Sequence, residues 1–215
     1  MLEETIRAVY EHKVITIVRG LGTEHMLRLA KALYDGGLRM MEITFDQAHP
    51  EAWQDTAQAI RAVRQAFTGS IYVGAGTVMN FAQLKLAYDA GAAFIISPNV
   101  DEAVIRQTKA YGMASFPGAM TPSEAAVAAN AGADIVKIFP ASVLGPGYFK
   151  AISSPLSHIR FMAVGGVSEK NAADFLRAGA VGLGVGGNLV NREWIQSGMF
   201  EKITELAKLY VEAVH

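Results

Sequence analysis

The sequence predicts an α/β fold of the (β/α)8 TIM-barrel type, with residues 1–215 forming one domain, and three observations carry that prediction. Eight short runs rich in Val, Ile, Phe and Met recur along the chain, each followed by a longer amphipathic or Ala-rich stretch. The runs are nearly continuous in apolar residues rather than alternating, as strands are when helices cover both faces of a parallel sheet. The length of 215 residues leaves no room for a second domain beside eight βα units, while a barrel needs only about 200 to 250. An open doubly wound sheet also alternates strand and helix, but eight comparable units in so short a chain favour closure.

In chain order the predicted strands are Val14 to Gly20, Met40 to Asp46, Ile71 to Val78, Ala93 to Pro98, Ala114 to Pro117, Ile135 to Pro140, Arg160 to Val164 and Val181 to Val185. Helix starts are expected at Thr23-Glu24, at Thr121-Pro122-Ser123-Glu124, where Pro sits in the first turn, and at Ser168-Glu169 before an Ala-rich segment. Three Ala-Gly-Ala triplets, at residues 90–92, 131–133 and 178–180, precede strands and suit tight helix ends at the bottom of the barrel.

Composition removes several classes of function. Hydrophobic residues at 51% and charged residues at 18% describe a folded chain with a large core, not a disordered one. A formal charge of −1 gives no general attraction for nucleic acid or anionic membrane, so the expected partner is a small molecule. With no cysteine there is no disulfide, thiolate zinc site or thiol catalysis, which suits a reducing compartment, the cytoplasm by default. Charges at Glu3, Glu4, Arg7 and Glu11 argue against an export signal at the start, and no apolar run of about 18 residues predicts a spanning helix. His12, His25, His49, His158 and His215 lack metal-ligand spacing, and no Ser-His-acid pattern is evident. No metal or organic cofactor is expected.

In such barrels the active site forms at the C-terminal ends of the strands. Lys137 stands in the middle of the sixth run, Ile-Val-Lys-Ile-Phe-Pro. Burial there depresses an amine's pKa and raises its nucleophilic fraction, although an ion-paired or snorkelling lysine fits the same pattern. Glu42 is equally isolated among apolar neighbours in the second run and reads either as a proton shuttle beside Lys137 or as its structural ion-pair partner. Gly74-Ala-Gly-Thr77-Val ends the third run, where small residues permit close approach and the Thr77 hydroxyl can donate to a carboxylate. Arg19 ends the first run and reads as a bidentate carboxylate ligand or a rim ion pair. The Gly165-Gly166 and Gly186-Gly187 pairs follow runs seven and eight, where backbone N–H groups commonly bind phosphate. Ser97-Pro-Asn and Phe116-Pro-Gly either shape the mouth or simply turn the chain. Trp53 and Trp194 read as packing or subunit-contact residues.

These motifs, in this order and spacing across nearly the whole chain, resemble the 2-keto-3-deoxy-6-phosphogluconate and 4-hydroxy-2-oxoglutarate aldolases. The resemblance rests on Glu42-Ile-Thr, Gly74-Ala-Gly-Thr-Val, Ser97-Pro-Asn, Phe116-Pro-Gly, Val136-Lys-Ile-Phe-Pro-Ala and the two glycine pairs. It implies a Schiff base at Lys137, proton transfer by Glu42, carboxylate binding by Thr77, phosphate binding around Gly166, Gly186 and Gly187, and a homotrimer of barrels. Two positions depart from it. Asp46 stands where many relatives have an arginine, and Gly187 stands where a serine is usual. The missing arginine, Arg19, and the Tyr148-Phe-Lys segment are similar to the galactonate-phosphate branch. The activity implied is cleavage of a 2-keto-3-deoxy-6-phospho-sugar acid, of gluconate or galactonate type, to pyruvate and glyceraldehyde 3-phosphate. Cleavage of 4-hydroxy-2-oxoglutarate to pyruvate and glyoxylate is an alternative, as is a phospho-sugar isomerase or epimerase on the same barrel, or a non-enzymatic phosphate-ligand binder.

Overall fold

The structure, a computed structural model, describes residues 2–215. Its first helix, α1 (Leu2–His12), leads into eight successive βα units. The first half contains β1 (Val14–Arg19), α2 (Thr23–Asp35), β2 (Met40–Thr44), α3 (Trp53–Ala66), β3 (Tyr72–Gly76), α4 (Phe81–Ala90), β4 (Phe94–Ile96) and α5 (Glu102–Ala110). The second half contains β5 (Ala114–Phe116), β6 (Gly118–Ala119), α6 (Pro122–Asn130), β7 (Val136–Ile138), α7 (Ala141–Ser153), β8 (Phe161–Val164), α8 (Ala172–Arg177), β9 (Gly182–Val185), α9 (Arg192–Gln196) and α10 (Phe200–Val214).

All ladders are parallel, in the order β5-β4-β3-β2-β1-β9-β8-β7-β6. The two ends of this ribbon are adjacent in sequence: β5 pairs with β4, β6 pairs with β7, and only Pro117 separates them. The fifth barrel strand is therefore one strand broken at a residue with no N–H to contribute. Phe116-Pro-Gly does more than turn the chain, because it closes the barrel. Gly118 makes this possible, since a Cβ there would stand 2.4 Å from the Pro98 carbonyl oxygen.

Side chains alternate between two cores, as the period of a strand requires. Val14 and Val18 of β1, Met41 and Ile43 of β2, and Val136 and Ile138 of β7 face the layer between sheet and helices. Ile15 and Ile17, Met40, Phe94 and Ile96, Phe116, Ile135, Met162 and Val164 fill the barrel interior. Ala8 and Val9 of α1 join that inner cluster, with Leu2 and Ile6 packed against it, so α1 lies across the N-terminal end of the strands. By the same alternation Glu42 and Lys137 belong to the inner set, and register places Ile17, Glu42 and Gly74 side by side across β1, β2 and β3.

Helix ends follow local chemistry. Thr121 accepts from the Glu124 N–H while Glu124 reaches back to the Thr121 N–H, the expected box with Pro122 in the first turn. The predicted turns at Gly91, Gly132 and Gly179 all have positive φ, the conformation glycine adopts without a Cβ penalty. The start expected at Thr23-Glu24 holds, with the cap one residue earlier, whereas the start expected at Ser168-Glu169 is corrected. Gly22, extended at φ −65° and ψ 154°, is the cap of α2, so Thr23 is already helical. Ser168 opens a turn, its carbonyl accepting from the N–H groups of Asn171 and Ala172, and α8 begins only at Ala172. Among the described residues no helix is long and apolar enough to cross a membrane.

Candidate active site

Lys137 occupies the centre of β7, held by its own N–H donating to the Pro117 carbonyl at 2.8 Å. Its side chain is 6% exposed, with Nζ 5.0 Å from the centre of the Phe139 ring. Burial pushes the amine below the usual lysine range; Glu42 opposes this shift and Arg19 adds to it. Glu42 is 2% exposed, and burial pushes its carboxyl above the ordinary range against the pull of Lys137 and Arg19. Glu42 Oε2 has no hydrogen-bond partner, and no direct ion pair joins the two groups. Burial thus moves both groups towards their neutral forms, which raises the nucleophilic fraction of the amine.

The Glu42 carboxyl lies against Gly76, where a Cβ would stand 1.7 Å from Oε1. Gly74 makes room in the same way for the Phe94 ring, whose atoms would lie 2.2 Å from a Cβ. The small residues of Gly74-Ala-Gly therefore admit protein side chains, a reason the sequence alone did not provide. Thr77, immediately beyond β3, has φ +54°, a left-handed conformation rarely adopted by a β-branched residue. Such strain, costing about 1–3 kcal/mol, clusters at ligand-binding positions.

Arg19, Gly166, Gly186 and Gly187 line one pocket of about 170 Å³, together with Phe139 and Asn188. That volume suits an anion head group rather than a whole sugar acid. Arg19 lies over Gly186, where a Cβ would meet its Nη1 at 3.2 Å. Gly165 and Gly166 both have positive φ, and a Cβ on Gly166 would meet Ser142 Oγ at 2.1 Å. Asn188 ties the two glycine loops together by donating to the Val167 carbonyl at 2.9 Å. No helix begins at the glycine pairs; α8 and α9 start later along the chain. Nothing lies within 4 Å of a Cβ built on Gly187.

Other expectations fall outside this centre. Asp46 is exposed, its carboxylate accepting from the Ala48 N–H at 2.9 Å and its carbonyl from Trp53 Nε1. Trp53 packs edge-on against Phe45, and Trp194 lies beneath Lys202. Ser97 donates to the Val78 carbonyl at 2.6 Å, bracing the end of β3. A larger cavity of about 410 Å³ beside Glu4, Arg64 and Tyr72 lies at the opposite end of β3 and contains neither Lys137 nor Glu42. Phe139, Ser142 and Asn188 were not singled out as site residues from sequence. Proximity in sequence to Lys137 was the available indication for the first two, and adjacency to Gly187 for Asn188.

Residues 5–206 match the family described as KDPG and KHG aldolase. The chain is 41% identical over 180 residues to a "Probable 2-dehydro-3-deoxy-6-phosphogalactonate aldolase" of Rhizobium meliloti (strain 1021), covering 83% of this chain and 82% of the relative. It is 35% identical over 202 residues to the 2-dehydro-3-deoxy-6-phosphogalactonate aldolase of Escherichia coli (strain K12), covering 94% and 96%. Among solved structures it is similar to a KDPG aldolase of Legionella pneumophila with pyruvate captured as a covalent carbinolamine, at TM-score 0.84 and 27% identity over 94% and 96% of the two chains.

Proposed function

Because the chain belongs to the KDPG and KHG aldolase family and is a carbon–carbon lyase, we propose that Lys137 forms an imine with the C2 ketone of a 2-keto-3-deoxy-6-phospho-sugar acid. The products are pyruvate and glyceraldehyde 3-phosphate. The observation that carries this assignment is a buried amine, pushed towards its neutral form, among the inward-facing residues that include an unpartnered carboxyl.

The protons balance through Glu42. Neutral Lys137 adds to the ketone, and Glu42 protonates the departing hydroxyl of the carbinolamine, leaving an iminium and a carboxylate. That carboxylate takes the C4 hydroxyl proton; the C3–C4 bond breaks, its electrons flow into the iminium, and the aldehyde leaves. Glu42 protonates C3 of the enamine to give the pyruvate iminium, and its carboxylate then takes the proton of the attacking water, so that hydrolysis frees pyruvate and restores neutral Lys137 and the protonated carboxyl. The iminium accepts the electrons throughout, so no metal is required and activity is expected to survive EDTA.

Thr77 is assigned the substrate carboxylate. Arg19, Gly166, Gly186 and Gly187 are assigned the phosphate, which changes the first suggestion for Arg19 from a carboxylate to a phosphate partner. Arg19, Asp46 and the similarity to galactonate-phosphate enzymes support a galactonate-type preference. Gly187, with open space and no hydroxyl, favours weaker phosphate binding and keeps 4-hydroxy-2-oxoglutarate as a second substrate. A cytoplasmic homotrimer completes the proposal, supported by exposed Met79, Phe81, Met120 and Val143 around the C-terminal rim and by the cysteine-free sequence.

Borohydride reduction in the presence of pyruvate, followed by peptide mapping, tests the central assignment. An adduct is expected on Lys137; an adduct on another lysine, or none at saturating pyruvate, sinks it.

A further inference from the structure

We infer that Gln83 and Gln47 are positioning residues that hold the Thr77 peptide for the substrate carboxylate; this rests on the carboxylate assignment proposed for Thr77. Gln83 is fully buried at the third position of α4. Its Oε1 accepts from the Met79 N–H at 2.8 Å, and its Nε2 donates to Gln47 Oε1 at 3.0 Å. Gln47 Nε2 then donates to the Thr77 carbonyl at 2.8 Å. The relay has one permitted direction, because a backbone donor fixes one end and a backbone acceptor fixes the other. Its two ends grip the chain on either side of Val78, immediately after the strained Thr77.

A helix-capping role alone accounts for part of this arrangement. Asn80 accepts from the Gln83 N–H, and Gln83 reaches back to the residue before that cap, much as in a capping box. Capping does not require the Gln83 amide NH2, nor Gln47, which comes from the loop beyond β2. Both are spent on the Thr77 carbonyl, and that expenditure is what the inference explains.

Gln83→Glu separates the two roles: its carboxylate still accepts from Met79 but has no donor for Gln47. Gln47→Leu changes an exposed residue and breaks the last link without touching the cap. Each variant, with Thr77→Val as reference, is assayed by borohydride trapping with pyruvate and with methyl pyruvate, whose carboxylate is masked. In both Gln variants the half-saturating pyruvate concentration is expected to rise about tenfold, while that for methyl pyruvate moves by less than about twofold. Equal shifts for both ligands, or none in Gln47→Leu, overturn the relay if Thr77→Val retains a pyruvate-selective loss. Absence of that selective loss in Thr77→Val overturns the carboxylate assignment and the relay with it.

Discussion

Lys137 and Glu42 place two ionisable side chains in an apolar interior without a direct bond between them, an arrangement that costs stability. Burial holds the folded-state pKa of Lys137 below its unfolded value, so folding disfavours the charged amine and the protonated form costs stability. This penalty grows as pH falls from about 10 towards the folded-state pKa, then levels off. Lys137→Met is therefore expected to abolish imine formation yet stabilise the fold at pH 7 by about 1–2 kcal/mol, with a larger gain at pH 6 than at pH 9. Calorimetry decides between readings: a lower melting temperature in the variant would indicate a charged ion pair, because removing one partner leaves the other buried alone. Gly76→Ala addresses the carboxyl. A Cβ 1.7 Å from Glu42 Oε1 must displace it, so kcat is expected to fall by about 100-fold, with an overpacking cost of about 1–3 kcal/mol. Unchanged kcat in that variant would remove Glu42 from the mechanism.

At the scale of elements, the strands were readable because each is short, apolar and bounded by Gly, Pro or a charge, and every strand except the Gly118–Ala119 half of the fifth, which continues past the predicted end at Pro117, lies within a predicted run. The glycine pairs after β8 and β9 were readable as one site because barrel topology makes these strands neighbours. Other features were hidden by the same economy of sequence. Nothing in Gly74-Ala-Gly indicates which side chain fills the space of each missing Cβ. Ser168 and Thr23 have good capping chemistry, yet backbone conformation placed the caps elsewhere. The positive φ of Thr77 arises from the turn out of β3 into α4, which residue type alone does not specify. The open space at Gly187 leads to a further test: Gly187→Ser adds a hydroxyl donor without a clash. It is expected to lower KM for phosphorylated substrate by about threefold to tenfold, a gain of about 1 kcal/mol for one hydrogen bond, and to leave KM for 4-hydroxy-2-oxoglutarate unchanged. Parallel shifts with both substrates would place Gly187 away from the phosphate.

For the whole molecule, the barrel positions every proposed reactive group from a different strand, so the site exists only when the ring is complete. Sedimentation at micromolar concentration is expected to give a trimer, and a monomer with full activity would separate assembly from catalysis. Closure itself follows from the break at Pro117. Without that join, the nine-strand ribbon would end in two unpaired edges, which can recruit strands from other chains. Here those edges are only Ala114–Phe116 and Gly118–Ala119, covalently joined and packed against the Ser97-Pro98 backbone. Each is too short to serve as a template for an added strand. The proline that denies the barrel one hydrogen bond thus protects the folded chain against edge-to-edge aggregation, even though its strands are apolar enough to aggregate if the ring opened.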